Sequence, residues 1–297
     1  MYLIIGASSL IGRHIAKYCK DTNKDFVGTY FSHKYDCTDF YFDLQNDNFS
    51  SLISKLPKNS IENLKMIICS ANARIDYCYA HKEETYTLNV LATKSLINQA
   101  VKIGVKPIFL SSEAVFDGKK GLYTEEDKPF PINEYGRQKL EIENFLLNDV
   151  ENALIFRISR AVGAKFGEID IFSDFYNKIK HDEPINCLKD QSFSLTEVND
   201  IANAIILSCE QDLQGLFHIA APNYVTRYEL AKIYAQRIFG GYEKIFEKEY
   251  AEIPFADGRH IHGGLIGDKL QKILNNSYKN LNEILTQYET SYKLNDS

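Results

Sequence analysis

Met1-Tyr2-Leu3-Ile4-Ile5-Gly6-Ala7-Ser8-Ser9-Leu10-Ile11-Gly12 opens the chain and decides its architecture. Tyr2–Ile5 is an apolar run of strand length, and Ile11–Cys19 reads as the helix after it. The small residues between them form a tight turn that aims backbone N–H groups and a helix N-terminus at one point. Such a point attracts an anion. Strand, glycine turn and helix in this order make the cradle for the pyrophosphate of a dinucleotide. Gly6, Ser8, Ser9, Leu10, Ile11 and Gly12 are therefore candidate cofactor contacts. Ser9 stands where the pattern has a middle glycine, and serine lacks some of glycine's backbone freedom, so the match is imperfect. An ordinary βα turn is the competing reading.

Working outward, short apolar runs alternate with amphipathic stretches. Phe26–Tyr30, Phe40–Phe42, Met66–Ser70, Ile108–Ser111 and Ala153–Ile158 read as strands. Helices are expected over Tyr86–Lys102, where Leu88, Leu91, Leu96 and Ile97 recur every three to four residues, and over Tyr135–Leu147. This alternation predicts an α/β chain with a parallel sheet covered by helices on both faces. Beyond Arg157 the pattern loosens: helices at Phe172–Lys180, Ile201–Cys209, Arg227–Phe239 and Asp268–Leu274, and a strand at Leu216–Ala220. We expect a dinucleotide-binding domain over residues 1–158, with 190–220 returning to it, and a small lobe from 159–189 and 221–297.

Where the second strand ends, an acid would bind a ribose diol. Tyr30 stands there instead, and Ser32, His33 and Lys34 follow, able to face a 2′-phosphate. That favours NADP(H) over NAD(H). Solvated loop residues are the plainer reading of His33 and Lys34.

The 297 residues suffice for one large α/β unit and an attached lobe. Net charge is −6 with both signs scattered, which argues against a nucleic-acid or acidic-membrane surface. Six cysteines (Cys19, Cys37, Cys69, Cys78, Cys187, Cys209) include no C-x-x-C pair, so neither a disulfide framework nor a zinc site is expected. Cys78 and His81 alone do not supply the four ligands of structural zinc. The first residues lack a basic segment and a long apolar run, so no membrane span is expected and the cytoplasm is the expected location.

Tyr135 and Lys139 lie one helical turn apart on one face. The same spacing occurs at Tyr30–Lys34, Tyr176–Lys180 and Tyr228–Lys232; context singles out Tyr135, which follows a strand ending in Ser111-Ser112. Ketone reduction needs a hydride and a proton for the developing alkoxide. A phenol with a pKa of about 10 relays protons poorly at neutral pH. A neighbouring ammonium and the charge of an oxidised nicotinamide would pull that value down, and Ser112 would hold the carbonyl oxygen. His218, inside an apolar strand, reads as a core histidine, and Arg227 as equally suited to a diphosphate or a salt bridge.

The stretch Leu110-Ser111-Ser112-Glu113-Ala114-Val115-Phe116-Asp117-Gly118, then Tyr123-Thr124-Glu125-Glu126-Asp127-Lys128-Pro129, then Asn133-Glu134-Tyr135-Gly136-Arg137-Gln138-Lys139-Leu140, resembles the dTDP-4-dehydrorhamnose reductase branch of the extended short-chain dehydrogenases. The similarity continues through Leu154–Ser159, Asp190-Gln191-Ser192, Gly215–Ala220 and Arg227–Leu230. It implies a Rossmann-type doubly wound parallel sheet with a small C-terminal substrate-binding lobe. It also implies a catalytic set of Ser112, Tyr135 and Lys139, with Lys139 and Tyr135 touching the cofactor as well. Asp43 and Leu44 would sit by the adenine, and Ser70, Ala71 and Asn72 would run along the cofactor. Asn89 matches a helix asparagine of the family and is read as support, and Glu113 an acid beside the reacting hydroxyl. Arg160 replaces a common aromatic and Leu195 a proline, both in the substrate lobe; Arg160 could grip a substrate phosphate or form a surface salt bridge.

By resemblance, the substrate is a nucleotide-activated sugar whose keto group is reduced. A nucleotide-sugar epimerase or dehydratase would use the same three residues. The fold also resembles the regulatory subunit of methionine adenosyltransferase, a binding partner rather than a catalyst. The family leaves a homodimer and a magnesium requirement open by analogy; the sequence itself shows no metal-ligand cluster.

Overall fold

The structure is a computed structural model describing residues 1–57 and 61–295; positions 296 and 297 of the expected lobe lie outside the described residues. Strands β1 (Tyr2–Ile5), β2 (Phe26–Tyr30), β3 (Phe40–Tyr41), β4 (Lys65–Ile68), β5 (Lys106–Ser112) and β6 (Leu154–Ile158) succeed one another with crossovers between them. Then come β7 (Arg160–Val162), β8 (Ile185–Leu188), β9 (Ser192–Glu197), β10 (Gly215–Ile219), β11 (Tyr224–Thr226) and β12 (Ile245–Lys248).

The main sheet runs β10-β6-β5-β4-β1-β2-β3, and every neighbouring pair is parallel. It is a doubly wound Rossmann-type sheet. The strand order reverses between β1 and β4, so the crossovers on either side go to opposite faces and open a crevice at the carboxyl ends. Strands buried on both faces need continuous apolar runs. Accordingly, all residues of β1 and β6 are buried.

One face of the sheet is covered by the helix Leu10–Asp21, through Ile15, Ala16 and Cys19, together with Ile201, Ile205 and Cys209 of the helix Val198–Glu210. The other is covered by Leu96, Ile97 and Ala100 and by Ile142 and Leu146 of the helix Glu134–Asp149. A third cluster, with Phe172, Phe175, Tyr234 and Tyr288 at its centre, lies under the sheets β11-β9-β7 and β12-β8. Within residues 190–220, Ser192–Glu197 pairs in the three-stranded sheet, whereas Gly215–Ile219 forms an edge of the main sheet.

Several elements differ from the sequence reading. The helix expected over Tyr86–Lys102 is interrupted: a π-helical stretch, Thr87–Ala92, joins α-helical Lys82–Tyr86 to Thr93–Val101. The insert carries Asn89. The small strands β7, β8, β9, β11 and β12, of three to six residues each, went unread; they lack the continuous apolar runs that marked the strands of the main sheet. No helix among the described residues is long and apolar enough to cross a membrane.

Candidate active site

Gly6 ends β1 with φ near +80°, a left-handed conformation costly for any residue with a side chain. A Cβ there would also stand 3.0 Å from the Ser70 nitrogen, so β1 and the segment after β4 meet closely at the switch point. Gly12 is a packing requirement: a Cβ would lie 2.4 Å from the Gly6 oxygen and 2.8 Å from the Ala7 Cα. Ser9 removes the mismatch suspected from the sequence. At φ −69° and ψ 164° it occupies ordinary extended backbone, and its side chain accepts a hydrogen bond from the Gly12 N–H, capping the helix. Leu10 and Ile11 form the first turn, whose N–H groups have no intrahelical acceptor. The turn is thus shaped to receive an anion.

Tyr30 lies half-buried at the end of β2, edge-on to Tyr41 at 5.9 Å. Ser32, His33 and Lys34 are exposed, Ser32 Oγ lying 2.9 Å from His33 Nδ1. Arg13, missed in the sequence reading, belongs beside them. Its guanidinium donates to the Ser8 carbonyl at 2.9 Å and stands 4.8 Å from the centre of the Tyr35 ring. The signal, a basic residue directly after Gly12, was available. Asp43 is held in its own turn by the Gln45 N–H and the Asn46 amide. The Leu44 side chain packs in the core, which leaves only its backbone for a ligand.

Ser70, Ala71 and Asn72 leave β4 half-buried. Asn89 braces this segment: its Oδ1 accepts from Asn72 N at 2.8 Å, and its Nδ2 donates to Asn72 O at 2.9 Å and to Gln138 Oε1 at 2.8 Å. All its polar capacity facing the segment goes to support.

Ser112 ends β5 and Tyr135 begins the helix Glu134–Asp149. Asn133, fully buried, fixes that start by accepting from Gly136 N at 2.8 Å. Asp257, from the segment after β12, accepts from Glu134 N at 2.7 Å. Ser112, Glu113, Tyr135 and Arg160 line one cleft of about 280 Å³, together with Gln191, Phe193, Arg259 and His260, which the sequence reading had not assigned to a site. The other Tyr-x-x-x-Lys pairs are elsewhere: none of Tyr30, Tyr176 and Tyr228 lines this cleft. Lys139 stands behind it, donating to the Leu110 carbonyl at 2.7 Å, with its Nζ 5.8 Å from the Tyr135 ring centre.

The electrostatics depart from expectation. Burial pushes the Tyr135 phenol above its ordinary value, the Cys78 sulfur adds to this, and the Ser112 hydroxyl beside it pulls the other way. Burial brings the Lys139 amine down to about 8, against the opposing pull of Cys69, Glu143 and Cys78. The chain by itself therefore does not acidify the phenol. Lys139 is desolvated and donates to the Leu110 carbonyl, and burial of the phenol is the largest influence on Tyr135. Glu113 is raised by burial, while Arg160 and a 2.7 Å hydrogen bond from Gly264 N lower it. Arg160 lies 4.8 Å over the Phe193 ring. Neither suggested surface salt bridge nor any other ion pair of Arg160 forms among the described residues. Arg227 is engaged with Asp174 at 2.7 Å. His218 is fully buried and held neutral, its imidazole lowered to about 3 by burial and by Arg157.

A glycine turn at the switch point thus accompanies a cleft lined by serine and tyrosine, with a lysine behind them. The chain matches the RmlD substrate binding domain family over residues 1–289. It belongs to that family. A crystal structure of a hypothetical dTDP-4-dehydrorhamnose reductase from Sulfolobus tokodaii superposes with a TM-score of 0.80 at 26% identity, over 97% of this chain and 98% of that one. A dTDP-4-dehydrorhamnose reductase from Bacillus anthracis, solved in complex with NADP, shares the fold at 21% identity and a TM-score of 0.81, over 97% of each chain. Methionine adenosyltransferase 2 subunit beta of Xenopus laevis is 28% identical over 243 residues, 77% of this chain and 69% of its own length. The chain is thus similar to both kinds of protein that its sequence resembles. Among the described residues no group of three His, Cys, Asp or Glu side chains gathers as a metal site.

Proposed function

We propose that this chain reduces a keto group on a nucleotide-activated sugar with a nicotinamide cofactor, in the manner of dTDP-4-dehydrorhamnose reductase. One observation carries the reading: Ser112 and Tyr135 share a cleft at the carboxyl end of β5, and Lys139 stands behind them toward Cys69, next to the Ser70 that touches Gly6. The glycine turn and the cleft would thereby be adjoining parts of one site.

The residues present fit a dinucleotide. Gly6, Ser8, Ser9, Leu10, Ile11 and Gly12 would hold its pyrophosphate, Ser70–Asn72 its length, and Asp43 and the Leu44 backbone its adenine side. Tyr30 in place of an acid, with Arg13, Ser32, His33 and Lys34 near it, supports NADPH over NADH. The cofactor supplies the hydride and, once oxidised, a positive charge. Ser112 holds the carbonyl oxygen, Tyr135 delivers its hydroxyl proton to that oxygen, and Lys139 binds the ribose hydroxyls and stabilises the phenolate left behind. The high affinity of Tyr135 for its proton suits a donor: it stays protonated until the charge beside it changes. Glu113 and Arg160 would contact the sugar nucleotide. Residues 1–158 and 198–220 would form the dinucleotide domain and the remainder the substrate lobe; magnesium, a homodimer and a cytoplasmic location complete the reading by analogy.

The test is loss of NADPH absorbance with purified protein and a panel of nucleotide 4-keto sugars. Stoichiometric consumption supports reduction; turnover without consumption indicates an epimerase. A second reading, a regulatory subunit, draws on the similarity to the methionine adenosyltransferase subunit. The assembled Ser112, Tyr135 and Lys139 favour catalysis. Recovery of a stoichiometric synthetase, with no keto sugar turned over, would reverse that.

A further inference from the structure

Directly beneath the cleft lies a charge pair that the reaction outlined above does not use. Glu143 follows Lys139 by one turn on the same helix and is fully buried. Arg157, 3% exposed, donates to it from Nε at 3.0 Å and from Nη2 at 2.7 Å. The Ser111 hydroxyl donates to the same carboxylate. Ser111 and Arg157 are register partners on β5 and β6, one residue before Ser112 and Ile158, which both reach the cleft. One carboxylate therefore ties the helix bearing Tyr135 and Lys139 to the two strands bearing Ser112 and the cleft floor. Phe116 covers the Arg157 guanidinium at 4.9 Å, and His218 lies edge-on beyond that ring. The titratable groups facing Lys139 are the Glu143 carboxylate from its own helix, the neutral thiols of Cys69, just past β4, and Cys78, from the helix Ile75–Ala80, and the neutral Tyr135 phenol.

We infer that Glu143, set by Arg157 and Ser111, is a positioning residue for the proton transfer: it fixes Lys139 and Tyr135 against Ser112, and its charge offsets the Arg157 cation that would otherwise repel the Lys139 ammonium. The inference rests on the reductase reading. A packing role alone would need no charge at this place, and a helix could be seated on a sheet by leucines. The arrangement also predicts asymmetry: removing the carboxylate while keeping the guanidinium leaves an uncompensated cation one turn from Lys139, which drives its proton off.

The test compares three variants with the parent, each checked for folding by circular dichroism. Glu143→Gln should lower kcat roughly 10- to 100-fold with KM little changed, and should move the alkaline limb of kcat/KM to lower pH by about one unit. Glu143→Gln combined with Arg157→Gln removes both charges and should return the limb toward the parent position. Glu143→Asp keeps the charge and loses the reach, so it should lower kcat without moving the limb. A limb unmoved in Glu143→Gln, or moved equally in the double variant, overturns the inference; if Glu143→Gln does not fold, Arg157→Gln alone, which leaves the carboxylate uncompensated, should move the limb to higher pH, and an unmoved limb there overturns it. The same pH limb is read in NADPH affinity by cofactor fluorescence. A parent that binds NADPH with a pH limb but turns over no sugar defeats the reductase reading alone, and the variants then test the pair through binding.

Discussion

Two serine–glutamate–arginine sets flank the carboxyl end of β5, and they have opposite fates. Ser111, Glu143 and Arg157 close on one another and are buried, with the ion pair at 2.7 Å. Ser112, Glu113 and Arg160, drawn from neighbouring positions on β5 and just past β6, line the open cleft and leave their polar groups turned to it. Glu113 accepts only a backbone hydrogen bond, and Arg160 rests on an aromatic ring. The same three side-chain types thus serve as a brace on one side of the strand end and as ligand-facing groups on the other. Side-chain alternation along β5 assigns Ser111 and Ser112 to opposite faces. Burial then decides which charges must be paired: the fully buried Glu143 takes a guanidinium, while the half-buried Glu113 at the cleft is held by a backbone N–H.

The sharpest break between the two sets is chemical. Tyr135→Phe, on the open side, should cost about 100- to 10,000-fold in turnover while leaving NADPH affinity nearly intact, measured by steady-state kinetics and fluorescence titration. Substantial retained turnover would mean that another group donates the proton. Next comes stability. Glu143→Ala should destabilise the fold by about 3–5 kcal/mol because Arg157 is left buried and unpaired, whereas Glu113→Ala should stay within about 1 kcal/mol. Equal losses in urea denaturation would erase the contrast.

Lys139 stands behind the cleft and is stressed by burial, which Glu143 of the closed set partly offsets. It binds its proton less tightly in the folded chain, at about 8, than at its ordinary 10.5. Folding is therefore penalised below pH 8, and the penalty fades as pH rises from 8 toward 10.5. Lys139→Met should raise stability near pH 7 by up to about 3 kcal/mol, with a smaller gain at pH 10, read from thermal melts; its activity should be lost. A gain that does not vary with pH would show that packing, not charge, is its source. The smallest effect is expected at the cleft's edge: Arg160→Gln should raise KM for the sugar nucleotide about tenfold, near 1.4 kcal/mol, with unchanged stability. An unaltered KM would remove Arg160 from the substrate contacts.

The glycine turn could be read from sequence because its requirements are local. A strand, a positive φ at Gly6 and a capped helix are specified within twelve consecutive residues. The Tyr135–Lys139 spacing was equally plain but not decisive, since three other pairs share it. Only the fold shows that Tyr135 meets Ser112. Arg259 and His260 could not be foreseen, because they arrive from more than a hundred residues beyond Tyr135 in a stretch without regular periodicity. The Glu143–Arg157 pair was invisible for a related reason: charged residues in a helix and a strand read as surface until the sheet closes over them.

Sequence alone thus determined the parallel α/β architecture, the anion-binding turn and the residue types for a proton relay, since periodicity, turn chemistry and helix-face spacing act between near neighbours. Tertiary structure decided which tyrosine faces a cleft, which charges are paired and how far Lys139 is desolvated. Those outcomes depend on burial and on distances between segments far apart in the chain, and neither exists until the chain has folded.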